Sequence, residues 1–470
     1  MNVRTIGKFG ISRFLGVAGS LAVATSLILG CSSAVAPSVT GISTPAVDVP
    51  VMITDAPSDQ LVSFTLTLNS IILTDSVGKT TSVLSTPITI EICHLNGVQE
   101  ALLTAKIPQD TYVSASFTFS NPQITYITSS ATPVVATPVL ATTSYTLTFP
   151  TPITIGNTST SLLVDLLAGQ SVAISGTTIT VTPVFAVKPV SPSSTVPPPG
   201  QNGTGMQQKG IVVSVSGTTL VVQPGNGPNV TLTTNSATVL QGFTALSALT
   251  AGQLVEIDFT LQAGGVFLAN RIELEPVPPA GAPQNLLAGP VTSAPANNAF
   301  KMAVMQGLGA AVSPTAIGSL YTINFTSSTN FAITPQFQAL TGLPFTPSFS
   351  ATNMKAGQAV GVTASSISGT TATASNVFLI PQTLSGTVTA PSTSGTWKVF
   401  TLTLPTGSAF ATLSGASTVT VYTSAATVPM STMPIAASAT TQIRFNGLVF
   451  NNGGSFVMVA GCSPDGDPSH

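Results

Sequence analysis

The sequence predicts an all-β chain: an N-terminal antiparallel β-sandwich followed by about three small β-barrel-like repeats joined by Pro/Gly-rich linkers. Three observations predict it. Apolar residues recur with a period of two, as in Val62, Phe64, Leu66 and Leu68 set between Ser63, Thr65, Thr67 and Asn69, the pattern of strands that bury one face. Turn pairs such as Ser216-Gly217, Gly264-Gly265 and Ser368-Gly369 separate these runs and supply positive-φ residues for hairpins. A Gly-x-Val opening recurs at Gly210-Ile211-Val212, Gly289-Pro290-Val291 and Gly386-Thr387-Val388, the mark of an internal repeat.

Residues 1–30 read as a signal peptide. Arg4, Lys8 and Arg13 precede an uncharged run from Phe14 to Gly30, which is a basic n-region followed by an apolar h-region. At 17 residues that run falls short of the roughly 20 apolar residues of a permanent membrane span. It ends in Leu27-Ile28-Leu29-Gly30-Cys31, which resembles the lipobox of bacterial lipoproteins. The resemblance implies cleavage between Gly30 and Cys31, a diacylglyceryl group on the Cys31 thiol, and acylation of the new amine. Two or more acyl chains hold firmly, at about 0.8 kcal/mol per buried methylene. Ser32 and Ser33 follow; by the same resemblance they imply the outer membrane.

Residues 31–47 form a small, polar, Pro-containing tether, suited to spacing a first module from a lipid surface. Residues 48–190 are the sandwich, with further alternation at Tyr145 to Phe149 and Ile179 to Lys188. Within it Val98 to Leu103, between Asn96-Gly97 and Pro108, reads as one or two helical turns. The stretches Val51-Met52-Ile53-Thr54-Asp55-Ala56-Pro57, Ile107-Pro108-Gln109-Asp110-Thr111-Tyr112 and Val184-Phe185-Ala186-Val187-Lys188-Pro189 resemble an uncharacterised domain at the N-terminus of many exported bacterial lipoproteins. That family implies architecture and location and supplies no activity.

Residues 191–208, with Pro197-Pro198-Pro199 and then Gly200, Gly203 and Gly205, read as a linker, stiff and then loose. The repeats are expected at 209–275, 287–382 and 384–463. The first two share Ala251-Gly252-Gln253 and Ala356-Gly357-Gln358. The second carries an insert around Met305 to Phe349 with its own strand at Tyr321 to Phe325, and the third sets Gln442-Ile443-Arg444-Phe445 where the first has Glu256-Ile257-Asp258-Phe259. The first repeat resembles an uncharacterised bacterial family of small extracytoplasmic barrels built on G-x-V, a G-[DQ]-x-V-x-V strand and a closing A-x-x-I/V strand.

Composition narrows the partners. Hydrophobic residues are 43% of the chain and charged residues only 6%, against roughly 25% in an average soluble protein. Without Arg4, Lys8 and Arg13, 9 basic residues face 14 acidic ones, a net charge of −5. No Lys/Arg cluster occurs in the mature chain, which argues against nucleic acid as a partner.

Chemistry-bearing residues are sparse. His94 follows Cys93 and lies near Glu91, but adjacent strand residues point to opposite faces and would not share a pocket unless the chain turns there. The simpler reading of His94 is a surface residue at a strand end. Cys93 and Cys462 are expected as buried thiols. Asp55 and Asp59, with Asp75 further on, are the candidates for a metal site; their spacing fits no calcium loop, and Asp55 in the T-D-A-P stretch more simply accepts backbone hydrogen bonds at a turn. Glu256 and Asp258 share one strand face, read as the solvated side of an alternating strand. No Gly-x-Ser-x-Gly elbow is present, and no pair of acids is nominated for glycoside hydrolysis.

The expectation is a lipid-anchored bacterial cell-envelope protein without a cofactor. It is read as a flexible string of modules that is non-catalytic and binds, adheres or supports. Its partners would be the membrane through the lipid, and an envelope glycan or protein. The alternative is an extracytoplasmic hydrolase or polysaccharide-processing enzyme that draws residues from several modules.

Overall fold

The computed structural model describes residues 45–462 apart from 57, 97, 158–159, 177, 193–205, 226, 276–284, 335–339, 390–391 and 425–441, and nearly all of its elements are strands. Gly30, Cys31 and the rest of the signal and tether up to residue 44 lie outside the described residues. So does most of the linker 191–208.

The N-terminal module is a two-sheet sandwich. One sheet runs Phe185–Val190, Ser161–Leu167, Ala46–Ala56, Glu100–Pro108. The other runs Thr80–Leu84, Leu61–Asp75, Asp110–Ile127, Pro133–Ala136, with Ile88–Glu91 and Ser144–Ile155 paired onto its long strands. Pairing is antiparallel except that Ala46–Ala56 runs parallel to Ser161–Leu167, and Thr178–Val181 to Val139–Leu140. Between the sheets lie Val51, Ile53, Phe64, Leu66, Leu68, Phe119, Leu162 and Val164. Phe117 from one sheet stacks on Phe185 from the other at 4.3 Å between centroids.

The helical turns expected at Val98 to Leu103 are not formed. Glu100–Pro108 is a strand paired with Ala46–Ala56. Six residues are too few to hold a helix without tertiary support, whereas the neighbouring strand offers a ladder of backbone partners.

Three closed five-strand barrels follow, all with one topology. In the first, the opening strand Gln207–Ser216 pairs antiparallel with Thr219–Gln223, which pairs with Val230–Thr233. The fourth strand, Leu254–Gln262, pairs with both the opening strand and the closing strand Val266–Leu274. A parallel contact between the third and closing strands completes the circle. Strands Leu286–Ala296, Ala299–Ala303, Leu320–Asn324, Ala359–Ser368 and Thr371–Leu379 repeat this order. Gln382–Val388, Trp397–Thr403, Thr418–Thr423, Gln442–Asn452 and Ser455–Cys462 repeat it again.

Two details of the repeats are corrected by this topology. The strand around Tyr321 belongs to no insert, because it is the third strand of the second barrel. The register sets Gly210 opposite Val255 and Gly386 opposite Ile443, so Arg444 corresponds to Glu256 and not to Asp258. The slip is two residues, and a period of two leaves every side chain on its original face.

The repeated glycine has a steric cause. The opening strand leaves one partner there and crosses closely over the next. A Cβ at Gly289 would sit 2.0 Å from the Ala303 carbonyl oxygen, and at Gly386 it would sit 2.2 Å from that of Thr403. The shared Gly-Gln pair is also explained. Gly252 and Gly357 adopt φ of 92° and 94°, which favours glycine. The following Gln253 and Gln358 each accept, through Oε1, the amide three residues earlier, from Thr250 at 2.7 Å and Lys355 at 2.6 Å.

The modules are not a flexible string, since Thr44–His470 form one compact unit. Met52, Ala101 and Leu163 of the sandwich pack into the core of the first barrel. Leu254 of the first barrel joins Leu286, Leu308 and Phe378 of the second. Trp397, Leu448 and Phe450 of the third lie in the core of the second. The hydroxyl-rich face of the sandwich is covered as well: Ser63 and Thr125 are fully buried, and Thr125 Oγ1 donates to the Gly318 carbonyl at 2.6 Å.

Candidate functional site at the four-module junction

A cavity of about 250 Å³ opens where all four modules meet. The sandwich contributes Asp59, His94, Asn96 and Glu100, and the first barrel Gln207, Lys209 and Glu256. The second barrel adds Ala288, Met305 and Gln306, and the third Ser385, Leu404, Phe410 and Asn446. The barrels present equivalent positions to it: Lys209, Ala288 and Ser385 share one place on their opening strands.

His94 is placed by a turn. Ile88–Glu91 ends and the chain makes a single 3-10 turn at Cys93–Leu95, which brings Cys93 and His94 to the same cavity. The expectation of a surface histidine is therefore overturned. The carboxylate of Glu91, 3% exposed, organises this turn: its Oε1 accepts the amides of Phe64 at 2.9 Å and Cys93 at 3.2 Å. Its Oε2 accepts the His94 amide at 2.8 Å and His94 Nδ1 at 3.0 Å. On the far side of the ring, Nε2 meets Glu100 Oε1 at 3.2 Å.

A ring clasped by two carboxylates keeps its proton. Burial pulls the His94 pKa down, but the charge and hydrogen bonds of Glu100 and Glu91 raise it to about 10, and the group is an imidazolium at neutral pH. Such a ring is not a general base. Burial, then the charges of Glu91 and Asp55, push the Cys93 thiol well above its ordinary value, so it carries little thiolate.

The metal candidates separate. Asp55 is buried and its Oδ1 accepts the Ala168 amide at 3.3 Å; burial and the nearby Asp165 push its carboxyl well up. Asp59 faces the third barrel, where Ser385 and Arg444 oppose the upward push of burial. Asp75 accepts the amides of Val77 and Lys79 at 2.9 and 2.8 Å, as a turn residue does. Among the described residues no group of three or more His, Cys, Asp or Glu side chains is placed to hold a metal ion.

Glu256 and Asp258 are not solvated. They belong to a buried ion network whose edge, at Gln207, Lys209 and Glu256, lines the cavity. Lys209 Nζ lies 2.7 Å from Glu256 Oε2 and 2.9 Å from Glu275 Oε1. Arg271 reaches Asp258 Oδ2 at 2.7 Å, Glu273 Oε2 at 2.8 Å and Glu256 Oε1 at 3.5 Å. Two cations thus serve four carboxylates. Burial and repulsion from Glu256 outweigh Arg271 and raise Glu273 to about 8, so one carboxyl keeps its proton at neutral pH.

Arg271 and Glu273 were missed on the sequence, and the hairpin alone would not have found them. Folding about Gly264-Gly265 pairs Phe259 with Ala269, and only a bulge between Asp258 and Phe259 sets Arg271 opposite Asp258 and Glu273 opposite Glu256, a shift that a strand pattern does not announce. Arg444 carried no signal because the acids it faces, Asp59 and Asp55, belong to the sandwich, and Glu100 meets His94 only because the chain turns at Cys93–Leu95.

The architecture defines a multi-module all-β protein, in which one sandwich and three like barrels enclose a common cavity. Residues 209–273, spanning most of the first barrel, match the family described as "Domain of unknown function (DUF5666)". No curated protein matches the chain.

Proposed function

We propose that this chain is a lipid-anchored protein of the bacterial cell envelope, non-catalytic, that binds a ligand at the four-module junction. The single observation that carries the reading is the state of the polar groups there. His94 is held between Glu91 and Glu100, and Lys209 between Glu256 and Glu275. Groups committed in this way orient and recognise, but they do not shuttle protons at neutral pH. Support for the envelope comes from the Leu27 to Cys31 stretch and from a charged content of only 6%.

Two measurements test it. Labelled palmitate should enter the wild-type chain in a bacterial host and not Cys31→Ser; equal labelling, or none, sinks the anchor. In a broad hydrolase screen of the purified mature chain no turnover is expected. A turnover abolished by His94→Ala would establish the enzymatic alternative.

A further inference from the structure

Hydrogen-bond accounting at the junction cavity names the kind of ligand. The side-chain amides of Gln207, Gln306, Gln382 and Asn446, which line it, each spend at least one N–H inside the protein. Gln207 Nε2 donates to Glu256 and Asp258 at 3.2 and 2.9 Å, and Gln306 Nε2 donates to Glu100 Oε1 at 3.4 Å. Gln382 Nε2 donates to the Gly357 carbonyl at 3.1 Å, and Asn446 Nδ2 to Thr383 Oγ1 at 3.0 Å. Both cations facing the space, His94 and Lys209, already sit between two carboxylates.

The uncompensated groups are acceptors. Asn96 Oδ1 is buried without a hydrogen-bond partner, and such a group destabilises the fold until it is satisfied. Glu100 lines the same cavity, and its contacts to His94 and Gln306 both fall on Oε1, so Oε2 is open. The third barrel supplies an apolar wall of Leu404, Phe410 and Leu413. A ligand that meets all of these surfaces donates hydrogen bonds, carries positive charge and has a short apolar stem. The volume of about 250 Å³ lies under the roughly 300–1,000 Å³ of pockets for drug-sized molecules, so the ligand is small.

We infer that the cavity binds a small primary alkylammonium, its NH3+ group donating to Asn96 Oδ1 and Glu100 Oε2 and its stem lying on Leu404, Phe410 and Leu413; this rests on the reading of the chain as a binding protein. An aromatic ring on that wall adds attraction for a cation. A neutral alcohol of the same shape lacks the charge and enough donors, and an anion would meet carboxylates.

The test is titration calorimetry of the full mature chain at pH 7 with n-butylamine, 1,4-diaminobutane, n-butanol and glucose as probes. One-to-one binding of an amine is expected, with n-butanol at least tenfold weaker. E100Q and N96A should each weaken the amine at least tenfold. Because E100Q also disturbs the His94 clasp, L413W is the second variant: it fills the cavity from the apolar side and removes no charged or hydrogen-bonding group. It should abolish amine binding while keeping the wild-type melting temperature. Absence of heat with both amines overturns the inference, as does equal amine affinity in E100Q, N96A and L413W. Binding of glucose in preference to the amines overturns the ligand class and leaves the binding reading standing. A chemical turnover of any probe would overturn that reading itself.

Discussion

In all three barrels the opening strand meets the fourth strand in one register, so Glu256, Gly361 and Arg444 occupy the same place, opposite Lys209, Ala288 and Ser385. In the first barrel that place is ionic. Glu256 binds Lys209 and Arg271, and Glu273 stands across from it on the closing strand. In the second it is apolar: Gly361 pairs with Phe378, whose ring fills the space above the glycine and packs on Leu254, Leu286 and Leu308. In the third, Arg444 turns its charge toward Asp59 and Asp55 of the sandwich. One backbone thus supports three chemistries at one site. The difference teaches that the barrel fixes the position while its surroundings select the residue: the barrel's own strands in the first two, the sandwich in the third.

The largest effect that would break this comparison is expected at the ionic barrel. Arg271→Met leaves Glu256, Asp258 and Glu273 buried around an apolar side chain, and the loss of one partner from a buried ion set costs about 3–5 kcal/mol. Urea unfolding of the full chain would measure it; a loss under about 1 kcal/mol would mean that the carboxylates find water or protons instead. The apolar barrel is probed by Gly361→Ala, whose Cβ would fall 2.3 Å from the Phe378 ring. Overpacking of this kind costs about 1–3 kcal/mol, and the same denaturation curve reads it. Gly210→Ala in the first barrel should be milder, because its nearest atoms are at 3.1 Å.

A pH series separates the two barrels more finely. Glu273 is raised from an ordinary 4.5 to about 8, so the folded chain holds that proton where the unfolded chain has lost it. Its contribution is complete below pH 4.5 and disappears as pH climbs through about 8. Unfolding midpoints should fall between pH 6 and 9, and Glu273→Gln should flatten that fall. An unchanged slope in the variant would place the titration elsewhere. The smallest effect is expected at the surface pair of Lys106 and Asp48, which is 2.9 Å apart but 76% and 60% exposed. Lys106→Ala should cost under about 1 kcal/mol, a control for the claim that burial is what makes the network matter.

Strand pattern and turn glycines were legible in the chain. The openings at Gly210, Gly289 and Gly386, and the Gly-Gln pairs at 252–253 and 357–358, mark the repeats in the sequence itself. Both have local causes, a close backbone crossing and a positive-φ turn. The site was much less legible. His94 was read against a strand geometry that the 3-10 turn at Cys93–Leu95 cancels. Ser63 and Thr65 looked like the polar side of a half-buried strand, and both are buried.

The sequence by itself determined the all-β class, the repeated barrels and which side chains alternate from face to face, because strand period and turn φ are properties of neighbouring residues. Tertiary structure alone decided that the modules close on one another and that His94, Glu100, Lys209 and Glu256 meet around one cavity. An outward-facing charge reads alike whether water or another module lies beyond it, and only the packed chain distinguishes the two.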